Sequence, residues 1–249
     1  TFGVEIELLV KPLPELDSFL MEKGFDRKNR NLIYEGIVSV LSGVSISSKI
    51  RDPSKKEPQE FHNWYITYDS SISERPEFYA VELVSPIFSS TNPQEWKESV
   101  NAIWMALNAN FEVSMDSSCG THIHVGTPEK FSFEDLKKIA KGTVYYQPAL
   151  ETIMPQGRET KFCKANILES SSLKTAYDDA QRIGYRSLFQ WVNDLQDKQA
   201  LATAMSPNKT VSWNFKNVIE NCGTVEFRRP PQVDSELMTR HWIAFTLSM

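Results

Sequence analysis

The sequence predicts an α+β fold, a mixed or antiparallel sheet that keeps one face open and packs helices on the other. Three observations lead there. Strand-like and helix-like segments follow one another in mixed order, without the strict alternation of a doubly wound sheet. Six strand candidates alternate polar and apolar residues at period two, so each has one hydrocarbon face and one polar face. Between them lie segments with apolar residues at helical spacing, which such hydrocarbon faces can bury against.

The elements follow in chain order. The opening TFGVEIELLV alternates Val4, Ile6 and Leu8 with Glu5 and Glu7, which is a strand period. An apolar pattern from Leu32 to Leu41 predicts a helix, and the polar, Lys- and Pro-bearing stretch at about 43–60 reads as a surface insertion. WYITYD at 64–69 and FYAVELVS at 78–85 are strands. Asn92 as N-cap and Pro93 at the first helical position open a helix whose Trp96, Val100, Ile103, Trp104 and Leu107 carry it to about Asn108. After the strand THIHVG, Ser132 and Asp135 make a capping-box-like start to a helix that reaches about Leu150. Residues 170–204 are helix-rich, TVSWNF and TVEFRRP are two late strands, and Asp234 is placed to cap a last helix carrying Leu237, His241, Trp242 and Phe245. With no internal repeat and no linker, the 249 residues read as a single domain, long enough to bury a sizeable core.

Composition narrows the function. The balance of 27 basic against 32 acidic residues, −5 overall, argues against a general nucleic-acid binder and favours small-molecule substrates. No apolar run approaches the roughly 18 residues a membrane span needs. Cys119, Cys163 and Cys222 are odd in number and lack paired spacing, which favours a reducing, cytoplasmic setting over a disulfide framework. The chain begins at Thr1 and stops within a helical pattern, so residues beyond both ends, and any targeting signal on them, are expected to be missing.

Chemistry enters through the polar faces. Glu5 and Glu7 share one face of the first strand, and Glu82 sits alone among the apolar residues of AVELV. Glu226 and Arg228 share a face of TVEFRRP, Ser212 and Asn214 a face of VSWNF, and His122 and His124 a face of THIHVG. Asp69 ends a strand and Ser71 follows it. Each feature alone has an ordinary structural explanation: a solvated face, an ion pair, a turn residue. Together, a sheet face holding Glu5, Glu7, Glu82, Glu226 and a histidine becomes tolerable with divalent cations present. Oxygen ligands with one imidazole suit Mg²⁺ or Mn²⁺ better than zinc. Such ions commonly hold a polyphosphate, which an arginine on the same face would complement.

FGVEIELL, VELVSPIF, CGTHIHVG and TVEFRRP occur in the order and approximate spacing of the amidoligase family, which the chain resembles from Phe2 to its last helix. That family belongs to the carboxylate–amine ligase superfamily, with glutamine synthetase and glutamate–cysteine ligase. The resemblance implies a glutamine synthetase-like catalytic domain and ATP-dependent formation of an amide or isopeptide bond, of γ-glutamyl type, through an acyl phosphate. It implies ATP and Mg²⁺ (or Mn²⁺) as cofactors, with a small carboxylate such as glutamate and an amine acceptor as partners. Position by position, it makes Glu5, Glu7, Glu82, His122 and Glu226 metal ligands, with Glu82, Glu226 and Arg228 catalytic. His124 and Arg228 fall to the nucleotide phosphates, and Asp69 and Ser71 match a short Asp-x-Ser element on the substrate side. Arg158, after MPQG, is a further candidate for phosphate, and Asn214 for substrate. The extra domains of glutamine synthetase have no counterpart in these residues, so its oligomeric state and ammonia site are not implied.

Two rival readings stand beside the ligase. One is a metal-dependent hydrolase built on the HxH pair, which would normally recruit a third imidazole or a thiolate, and only His62 and His241 remain. The other is a homologue that binds nucleotide and metal without chemistry.

Overall fold

Ile6, Leu83 and Ile66 lie side by side on three neighbouring strands, all sealed from solvent, and their row anchors the sheet. The computed structural model describes residues 1–23, 30–52, 61–114, 116–159, 161–220 and 222–249. In chain order the elements are β1 (Phe2–Pro12), α1 (Pro14–Glu22), α2 (Arg30–Gly43), β2 (Ser48–Ile50), β3 (Trp64–Thr67), β4 (Tyr79–Val84), α3 (Pro93–Asn110), β5 (Phe111–Ser114) and β6 (Thr121–Val125). There follow α4 (Phe133–Ile153), α5 (Asn166–Glu169), α6 (Ser171–Ile183), α7 (Tyr185–Asp194), α8 (Lys198–Met205), β7 (Trp213–Asn214), β8 (Val225–Phe227) and α9 (Glu236–Ser248). The chain forms two compact units, Thr1–Ile123 with Pro231–Met249, and His124–Pro230. None of the described helices is long and apolar enough to cross a membrane.

The first unit is α+β, with a mixed, open sheet in the order β2-β3-β4-β1-β6 and β5 beside the far end of β1. β2 runs parallel to β3, whereas β3 and β4, and β4 and β1, are antiparallel. The alternation in β1 works as read: Phe2, Val4, Ile6 and Leu8 are buried on one face. That face meets Val81 and Leu83 of β4, Trp64 and Ile66 of β3, and an aromatic cluster in which Phe2 lies 5.7 Å from Trp96 of α3 and 5.6 Å from Phe88. Trp64 Nε1 donates to Ser99 Oγ of α3 at 2.9 Å, which ties the sheet to the helical layer. Burying each such large side chain stabilises the unit by about 1.5–3 kcal/mol. The opposite face carries Glu5, Glu7 and Glu82, then closes at Leu9 and Ala80 under a small apolar cluster with Ile72 and Cys119.

Several expectations are corrected. The insertion at 43–60 contains the end of α2 and β2; its residues 53–60 lie outside the described residues. The apolar pattern of α1 is short and β5 has four residues, so neither stands out by periodicity. Asn92 sits at the N-cap of α3, but its side chain makes no capping bond and donates instead to Glu95 Oε2. Asp234 does not cap α9; Ser235 does, accepting from the Met238 N–H at 3.5 Å. The buried stripe of α9 is Thr239, Trp242, Ile243 and Thr246, with Leu237 exposed, because Trp104 Nε1 of α3 donates to Thr239 Oγ1 and turns that side inward.

The second unit is mostly helical. Ser132 caps α4 as expected, accepting from the Asp135 N–H at 3.1 Å. The 170–204 stretch breaks at Gly184, whose φ of +96° suits glycine, and at Asp197, which caps α8. β7 and β8 pair antiparallel, Trp213 opposite Phe227 and Asn214 opposite Glu226. Asn166, fully buried at the start of α5, donates to the carbonyls of Met205 and Trp213 and accepts from the Trp213 N–H. One amide thus satisfies three backbone groups and ties α8 to β7. No disulfide forms among the described residues.

Tyr34 of α2 donates from its hydroxyl to the Ala80 carbonyl of β4 at 3.0 Å, and burial pushes its phenol up to about 12. The fold favours neutral Tyr34, so its contribution is whole below about pH 10 and is lost as pH rises towards the folded value. Circular dichroism through an alkaline titration should show a steeper loss of stability for wild type across that window. Tyr34→Phe, which has no proton to lose, should start lower and fall more gently.

Candidate functional site

In the first unit, strand pairing gathers four carboxylates and an imidazole. Glu7 of β1 stands directly opposite Glu82 of β4. Like charges on paired positions repel, the more so because Glu7 is 1% exposed. Glu5 is one step along the same face, 23% exposed, with its Oε2 3.3 Å from Nδ1 of His122 on β6. The other ring nitrogen of His122 lies 3.8 Å from Glu7 Oε1, and the ring is 1% exposed. Asp69 joins from the loop after β3; its Oδ1 accepts from the Ser71 N–H at 2.6 Å, a turn that fixes the carboxylate.

Two donor sets result, Glu5–Glu82–His122 and Glu7–Asp69–Glu82, each with its ligand atoms within 4.8 Å of one another. Glu82 belongs to both. A set of carboxylate oxygens with one imidazole, partly sealed and mutually repulsive, fits a hard divalent cation. The structure thus brings Glu5, Glu7, Glu82 and His122 together, and Asp69 joins them. Ser71 is exposed and takes part through its backbone.

In the second unit, β8 and its surroundings build a different cluster. Glu226 is buried; its Oε2 accepts from Asn214 Nδ2 at 2.8 Å and Asn217 Nδ2 at 3.1 Å, and its Oε1 accepts from Arg228 Nη1. His124 holds Thr224 Oγ1 at 3.1 Å through Nδ1 and lies 3.8 Å from Glu226 Oε1 through Nε2. The carboxylate thus orients a guanidinium with an imidazole close by, an arrangement able to meet an anion. Asn214, expected among substrate contacts, is enclosed and commits its amide to the protein, donating to Glu226 and accepting from the Lys216 N–H. His122 and His124, two residues apart, differ in their hydrogen-bond partners, Glu5 for one ring and Thr224 for the other.

A family model described as "Putative amidoligase enzyme" matches residues 1–249, the whole chain. The chain belongs to the amidoligase family. No curated protein and no solved structure matches it. Membership points to an enzyme that makes amide bonds, and in this amidoligase-family chain the four motif segments supply Glu5, Glu7, Glu82, His122, His124, Glu226 and Arg228 to the two clusters.

Sequence reasoning missed part of the apparatus. Asn217 lies in a single-turn 3-10 helix, Lys216–Val218, and Thr224 in the loop before β8, both too short for a period to assign a face. Arg229, beside the expected Arg228, is 2% exposed and pairs with Glu151 of α4 at 2.9 Å and with Glu159 at 3.3 Å. Glu159 in turn accepts from the N–H of Gly157, whose φ of +117° requires glycine. Backbone N–H donors, its own and that of Gly157, with help from Arg229, hold the Glu159 carboxyl below the usual carboxylate range. Arg229 so pins the 154–159 turn that carries Arg158, itself buried with its guanidinium over the Phe162 ring at 5.5 Å. Both carboxylate partners of Arg229 reach solvent, so Arg229→Met should cost about 2–3 kcal/mol, below the usual figure for a fully buried pair. The contribution of Glu159 is present above its ordinary pKa and lost as pH falls. Urea unfolding at neutral and at acidic pH should show the gap between wild type and Arg229→Met narrowing on acidification.

Proposed function

We propose that the protein is an ATP-dependent carboxylate–amine ligase of glutamine synthetase-like type, working with Mg²⁺ or Mn²⁺. The observation that carries this reading is the pair of donor sets sharing Glu82. A polyphosphate substrate is the usual reason to gather hard cations on an open sheet face. The order of the four motifs and the family match support the same conclusion.

Glu5, Glu7, Asp69, Glu82 and His122 would hold the cations; Glu226 stays a ligand candidate through the family resemblance. When bound, divalent ions neutralise the triphosphate and draw charge from the γ-phosphoryl group. A substrate carboxylate oxygen attacks the γ-phosphorus, the bond to the bridging oxygen breaks, and ADP leaves. The amine then attacks the acyl carbon, phosphate departs with the C–O bond, and the amine proton goes to solvent or base. Glutamate is the favoured carboxylate, giving a γ-glutamyl amide. The chain contributes position and charge: Arg228, aimed by Glu226, meets the transferred phosphoryl group, and His124, set by Thr224, lies towards the phosphates. Arg158 is retained as a second phosphate contact and Ser71 as part of the substrate side.

Release of ADP and phosphate across a matrix of carboxylates and amines, with Mg²⁺ present, tests the reading. At least one pair should release both products and yield an amide by mass spectrometry. Arg228→Ala should lose on the order of 10²-fold in turnover. His122→Ala should raise the Mg²⁺ requirement and His124→Ala the ATP requirement. Ligation by Arg228→Ala at the wild-type rate would remove the assigned role.

A further inference from the structure

The polar row of the sheet does not end at Glu82. Thr67, the last residue of β3, pairs directly with Glu82, which pairs with Glu7. Residues facing each other across antiparallel strands present their side chains on the same face, so the row reads Glu7, Glu82, Thr67. Thr67 is 4% exposed, and its Oγ1 has no hydrogen-bond partner among the described residues. A sealed hydroxyl without a partner is destabilising, and a valine of the same shape would sit there at less cost. Unsatisfied polar groups of this kind concentrate where a protein meets a ligand. Asp69, two residues on, supplies the third carboxylate of the Glu7–Asp69–Glu82 set, whose donor atoms lie within 4.8 Å of one another.

We infer that Thr67 is a cation-binding residue, a neutral oxygen beside the three carboxylates of the Glu7–Asp69–Glu82 site. This rests on the proposal that these carboxylates hold a divalent cation. A hydroxyl suits the place for two reasons. It adds an oxygen ligand without adding negative charge to a site already crowded with it. Its proton can also turn towards a neighbouring carboxylate oxygen, leaving a lone pair for the ion.

The consequence is a pair of effects of opposite sign. Thr67→Val removes the oxygen while keeping the shape, so the metal-free protein should melt higher, by about 2–4 °C for a chain of this size. The same substitution should weaken Mn²⁺ binding on the order of 10-fold, as loss of supporting contacts does at other metal sites. The experiment is Mn²⁺ titration of the full chain without nucleotide, followed by electron paramagnetic resonance and calorimetry, with thermal melts of the same samples. Thr67→Ser, which keeps the oxygen, should bind Mn²⁺ much as wild type does. Glu82→Gln marks the loss of the carboxylate set. Wild-type Mn²⁺ affinity in Thr67→Val, with binding lost in Glu82→Gln, overturns the role of Thr67 and leaves the cation site standing. Failure of wild type itself to bind Mn²⁺ overturns the cation site and the inference together.

Discussion

Everything in the first unit depends on the register between β1, β4 and β3. It places Ile6, Leu83 and Ile66 in one row and Glu7, Glu82 and Thr67 in the next. A slip of one residue would send Glu7 and Glu82 into the helical layer and bring the hydrocarbon row to the polar face. The apolar row locks the register because its side chains are sealed against the layer that holds Trp96 and Ser99. The polar row is the strained half of the same arrangement, with like charges directly opposed and one of them almost wholly buried. Hydrophobic burial on one face thus maintains an electrostatic conflict on the other, which a bound cation would relieve.

The second unit solves a different problem with similar residues. Glu226 is as buried as a core side chain, yet two amides and a guanidinium converge on it. Its charge is met by hydrogen-bond donors, so it works as a support for Arg228 whatever else it binds. The contrast between Glu7 and Glu226 shows that burial does not assign a role to a carboxylate. Its neighbours do.

Much of this was legible in the chain. Period-two alternation located all six strands that carry candidate residues, since a strand with one buried face must alternate. The apolar stripe of α3 and the Ser132 cap of α4 were equally plain, because helical spacing and a capping serine are local signals. What escaped was short: β2 with three residues, β5 with four, and the amide of Asn217 on a three-residue 3-10 helix. The cap of α9 moved from Asp234 to Ser235, and its buried stripe turned towards Thr239, because a contact with Trp104 outweighed the local pattern. Thr67 shares parity with Asp69, so its face could be read, but its lack of a partner could not.

The sequence by itself determined which residues point together along each strand, since backbone geometry makes that a matter of counting by two. It therefore specified the pairs Glu5 with Glu7, His122 with His124, and Glu226 with Arg228. Which strands stand side by side, and in what register, was decided only by the tertiary structure. Pairing is chosen by long-range burial, which no local spacing records. That choice set Glu82 against Glu7, brought Asp69 and Thr67 beside them, and gave the two histidines of a single strand different hydrogen-bond partners.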